Sequence, residues 1–98
     1  MREGSYTQIE RGMEVVGRDG ETIGGVREVI VDEASDIFVG LAVKPNLFVH
    51  SLLVPGELVE RLHDRKVYVD AVEAELETYV TPEERHHETE QAYEEANR

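Results

Sequence analysis

Gly17-Arg18-Asp19-Gly20-Glu21-Thr22-Ile23-Gly24-Gly25-Val26-Arg27-Glu28-Val29-Ile30-Val31-Asp32 is the stretch that decides how this chain folds. Asp19-Gly20 stands between two apolar runs, Met13 to Val16 and Thr22 to Asp32. A tight primed turn needs positive φ, which glycine and aspartate tolerate best, so the dipeptide predicts a β-hairpin. The run that follows has its apolar positions at Ile23, Val26, Val29, Ile30 and Val31. Helical spacing through Ile23, Val26 and Ile30 competes with a strand there. The glycine pair and the β-branched content favour the strand. Gly24-Gly25 inside it predicts a bulge or a sharp bend, of the kind small barrels use to turn corners.

Working outward, the same grammar continues. Asp32 to Asp36 is polar and reads as a turn. Ile37 to Val43 alternates, with Ile37, Val39, Leu41 and Val43 on one face and Phe38, Gly40 and Ala42 on the other. Both faces are apolar, as expected for a barrel strand whose outer side is partly covered. Lys44-Pro45-Asn46 reads as a turn, and Leu47 to Pro55 as a strand. Glu57 to Leu62 suggests a short helical turn. His63 to Lys66 is a polar turn, and Val67 to Val69 a last short strand. Strands recurring at this pace with turns between them predict an all-β barrel or sandwich. Upstream, residues 1–8 read as a polar lead-in.

The end of the chain has another character. Thr81-Pro82-Glu83-Glu84 is a helix start, with Thr81 as the cap, Pro82 at the first helical position and Glu84 where a capping-box acid belongs. Only Ala92, Tyr93 and Ala96 then offer anything to bury, which predicts an acidic helical tail, frayed or disordered outside a complex. Between barrel and tail, Val72, Leu76 and Tyr79 or Val80 suit a helix, and Val72, Ala74 and Leu76 equally suit a strand. The expected organisation is a lead-in over 1–8, a barrel domain over 9–76, and a linker with a charged tail over 77–98.

Composition narrows the function. The 98 residues suffice for one domain. There is no cysteine, which excludes disulfides, thiolate catalysis and cysteine-ligated zinc. The polar residues after Met1 argue against a signal peptide, and no apolar run approaches the ~18 residues that cross a bilayer. A cytoplasmic, soluble protein is the expectation. The net charge of −12 divides unevenly. Residues 1–70 carry thirteen acidic and eight basic side chains, and residues 71–98 carry nine and two. Both parts repel phosphate, so neither direct nucleic-acid binding nor adsorption to anionic lipid is expected.

Taken in order, these segments resemble the PRC-barrel family. The matching residues are Gly12-Met13 before Val15-Val16, then Asp19-Gly20-Glu21-Thr22-Ile23-Gly24-Gly25-Val26, Val29 and Asp32. The Ile37–Val43 strand, the Leu53-Val54-Pro55 step with Glu57, and Val67 to Val69 complete the pattern. The resemblance covers residues 9–70. It implies a compact β-barrel of about six short strands. Related domains occur in the H subunit of the bacterial photosynthetic reaction centre and at the C-terminus of a ribosome maturation factor, and others stand alone in bacteria and archaea. Their common theme is holding another macromolecule, and the family brings no shared catalytic motif. Neither the membrane helix of the first nor the separate N-terminal domain of the second is expected from these residues, so neither specific function is carried over.

The residues themselves point the same way. Ser5, Ser35 and Ser51 lack a nucleophile context, and the glycines do not form a phosphate loop. No catalytic, cofactor-binding or metal-ligating residue is assigned. Leu47, Phe48 and Val49 follow the Pro45-Asn46 turn, where polar residues are usual. Together with Phe38 they form the candidate interaction surface, and the alternative reading is that Leu47 or Phe48 caps the open end of the barrel. The expected partner is a protein, with a homodimer as the simplest case and a basic partner favoured by the acidic tail. The competing reading is a metal- or small-ligand-binding module built on the acidic turns and on His86 and His87. Adjacent helical residues point about 100° apart, so those two histidines do not share one site easily.

Overall fold

The structure, a computed structural model, describes residues 6–82 and residue 84. Seven strands form one sheet: β1 Glu14–Val16, β2 Thr22–Asp32, β3 Ile37–Lys44, β4 Ser51–Pro55, β5 Val59–His63, β6 Lys66–Val69 and β7 Glu77–Tyr79. The hydrogen-bonded order is β5-β6-β1-β2-β3-β4-β7. β1 to β4 form an antiparallel meander. The chain then crosses to the other side, and β6 joins β1 in parallel.

The expected barrel is therefore rolled but not closed. Among the described residues no ladder joins β5 to β7. The core nevertheless lies inside the roll. Leu41 and Val43 of β3 and Val54 of β4 pack in one cluster with Val59 of β5 and Val67 and Val69 of β6. These residues come from both ends of the sheet, so burial holds the two ends together where hydrogen bonds do not.

The deciding segment folds as a hairpin with one correction. Val16 pairs with Thr22, but the turn is wider than a two-residue primed turn. The Gly20 N–H donates to the Gly17 carbonyl at 3.0 Å, and Gly20 has φ of 83°. Asp19 does not have positive φ. Its carboxylate instead accepts the Glu21 N–H at 3.0 Å. The bulge is present where the glycine pair predicts it. Val15 pairs with Gly24 and Val16 with Thr22, leaving Ile23 as the extra residue. Gly24 is required by close approach: a Cβ there would stand 2.4 Å from the Lys44 carbonyl oxygen.

Three further expectations change. The face of β3 is not continuous. Ile30 pairs with Gly40 and Val31 with Phe38, so Val39 is an extra residue. Such an insertion reverses the facing of what precedes it. Leu41 and Val43 are fully buried, whereas Ile37 and Val39 are exposed at 61% and 46%. Second, the helical turn is confined to Gly56–Leu58, and Val59–His63 is a strand against β6. Third, the strand read from Leu47 begins only at Ser51.

Both flanks are drawn onto the barrel. Ile9 is buried, and Tyr6 stacks on Phe38 with ring centroids 5.1 Å apart. Residues 71–80 are neither a long helix nor a long strand. Glu73–Glu75 is a 3-10 turn, and Glu77–Tyr79 pairs with β4, so part of the expected linker is sheet. Arg18 ties this segment to the first hairpin, with Nη1 3.2 Å from Asp70 and Nη2 2.7 Å from Glu75. The Val72 N–H and then Arg18 hold the Glu75 carboxyl below its ordinary range. Among the described residues no helix is long and apolar enough to cross a membrane.

Candidate functional site

β3 ends at Lys44 and β4 begins at Ser51. The six residues between them make the most apolar projection of the described chain. Asn46 folds it: its side-chain oxygen accepts the Phe48 N–H at 2.8 Å, an Asx turn that lifts Leu47 and Phe48 to the tip. Leu47 is 85% exposed, Phe48 94% and Val49 45%. Neither Leu47 nor Phe48 caps the end of the barrel. Beside the tip lies a groove of about 420 Å³, lined by Val49, His50, Leu52, Ala74 and Leu76 among others.

Phe38 belongs elsewhere. It lies six residues before Lys44 on β3, about 20 Å along the strand. It is half-buried, packs on the core and stacks on Tyr6. Of the four candidate surface residues, the structure brings together Leu47, Phe48 and Val49 and sets Phe38 apart, near exposed Ile37 and Val39.

The base of the same loop holds a feature that sequence reading found only in half. The capping box forms as predicted. The Glu84 N–H donates to Thr81 Oγ1 at 3.2 Å, and the Thr81 N–H donates to Glu84 Oε2 at 3.3 Å. Yet this corner is not exposed. Thr81 is buried, and the Glu84 side chain is only 9% exposed. Ser51 Oγ donates to Glu84 Oε1 at 2.8 Å, Lys44 Nζ lies 3.2 Å from the same oxygen, and His50 Nδ1 lies 3.5 Å from Oε2. Burial alone would push this carboxyl up. Donors from the Ser51 hydroxyl, the Thr81 N–H, Lys44 and the Ser51 N–H outweigh it and bring the carboxyl down to about 2. The signal for the cap was Thr-Pro-Glu-Glu. Nothing in the spacing announces Ser51 and Lys44, which lie 33 and 40 residues earlier.

The remaining candidates are local. His63 Nε2 lies 3.3 Å from Asp64, as its position in a turn suggests. Asp32 accepts the Ala34 N–H at 3.1 Å within its own turn. Among the described residues no three His, Asp or Glu side chains are grouped to hold a metal ion. His86 and His87, and the helix expected for the tail beyond Glu84, lie outside the described residues.

Residues 4–76 match the family model described as PRC-barrel domain. No curated protein matches the chain.

Proposed function

This chain belongs to the PRC-barrel domain family, and we propose that it acts as a protein-binding module, with a second copy of itself as its first partner. The observation that carries this reading is the exposed tip Leu47-Phe48-Val49. Burying an exposed leucine or phenylalanine yields roughly 1.5–3 kcal/mol each. Two such side chains held up by an Asx turn form an anchor, the kind of residue pair on which interfaces concentrate their energy. The adjoining groove offers apolar wall at Val49, Leu52 and Leu76 to receive the same tip from a partner. Light scattering across a concentration series tests the reading. We expect association that Phe48→Ser weakens at least tenfold without lowering the melting midpoint, because Phe48 is almost fully exposed. A strictly monomeric protein at millimolar concentration would remove the second copy as partner.

A further inference from the structure

We propose that Lys44, Ser51 and the Thr81 N–H form a carboxylate-binding site, which the chain fills with its own Glu84 and which accepts a free carboxylate once that side chain is removed. A capping box needs only Thr81 and Glu84. It works equally well on an exposed helix start. Here the barrel adds contacts that capping does not require. Ser51 Oγ and Lys44 Nζ reach Oε1, while the Thr81 N–H at 3.3 Å, the Ser51 N–H at 3.5 Å and His50 Nδ1 at 3.5 Å reach Oε2. Both oxygens are thus served, from two strand ends and from the chain's own return. Ser51 is fully buried and Thr81 nearly so, and every buried side-chain nitrogen and oxygen among the described residues has a partner. Donors fixed in a desolvated pocket around both oxygens of one carboxylate form a recognition site for that group. Its occupant is covalently attached, so the effective concentration is high and outside carboxylates do not compete.

Formate is the probe, because it is the carboxylate head without a stem. In full-length Glu84→Ala we expect formate to raise the melting midpoint with the logarithm of its concentration above its dissociation constant, by about 5 °C for each five- to tenfold increase. Chloride at equal ionic strength should do much less. Wild type, whose site is filled, should not respond to formate beyond chloride, and neither should Glu84→Ala/Ser51→Ala, whose site lacks a donor. Should Glu84→Ala be unfolded without additive, formate must restore its fold over the same concentration range. A response to chloride equal to that for formate, an equal response in wild type, or no response in Glu84→Ala would each overturn the proposal.

Discussion

Glu84 is a carboxylate in a place where a carboxylate should be costly. Its side chain is nine-tenths buried, and an unpaired charge there would be neutralised. The donors from Ser51, Thr81 and Lys44 reverse that outcome and hold it ionised down to about pH 2, against an ordinary value of 4.5. A carboxyl depressed in the folded state stabilises the fold above its unfolded pKa. It loses that contribution as pH falls towards the folded value. The contribution is therefore complete above roughly pH 5.5 and drains away between about pH 4.5 and pH 2. It amounts to about 3 kcal/mol. Urea unfolding at pH 6 and pH 3 should show wild type losing more stability than Glu84→Gln, whose side chain does not ionise. Equal losses would mean that the clasp does not govern this pH range.

Elements are shaped by single inserted residues and by two-residue turns. The bulges at Ile23 and Val39 bend β2 and β3 around the core and decide which apolar residues face it. The tightest turn is not the one richest in glycine. His63 pairs with Lys66, and the two residues between them, Asp64 and Arg65, have φ of 50° and 62°. That is the primed geometry, adopted here by residues that pay a steric penalty for it. Glycine at the second position removes the clash between Cβ and backbone. The Arg65 pair with Glu10 is long at 3.4 Å and exposed on both sides, so its loss costs little. Arg65→Gly is expected to raise stability by about 0.5–1 kcal/mol after the extra entropy of glycine in the unfolded chain is deducted. Chemical denaturation measures it, and destabilisation would show that the arginine side chain matters more than its backbone.

At the scale of the whole molecule, charge and apolar exposure oppose each other. A net charge of −12 makes two copies repel, while Leu47 and Phe48 favour contact. Raising sodium chloride from about 20 mM to about 0.5 M shortens the screening length from roughly 20 Å to roughly 4 Å. Self-association through the tip should strengthen over that range, because repulsion is screened and apolar burial is not. Sedimentation at the two salt concentrations distinguishes this from attraction between unlike charges, which would weaken.

The strand content, the hairpin at Asp19-Gly20, the bulge beside Gly24 and the cap at Thr81 were legible because each is a local matter. Backbone φ, β-branching and a three-residue capping interval are properties of a few adjacent residues. The apolar tip was legible for the same reason, since three large side chains after a Pro-Asn turn have no local partner. What only the tertiary structure decided depends on residues far apart. Glu57 to Leu62 reads as a helical turn until Lys66–Val69 arrives beside Val59–His63, and β6 in turn needs β1, some fifty residues earlier, for its parallel pairing. Phe38 reads as a companion of Phe48 until the Val39 insertion turns it towards the core and Tyr6 covers it. Glu84 reads as a solvated cap until Ser51 and Lys44 close around it. By itself the sequence determined which segments extend and where they turn. Long-range pairing and burial decided which end of the sheet meets which, leaving β5 and β7 unjoined, and which side chains remain free to meet another molecule.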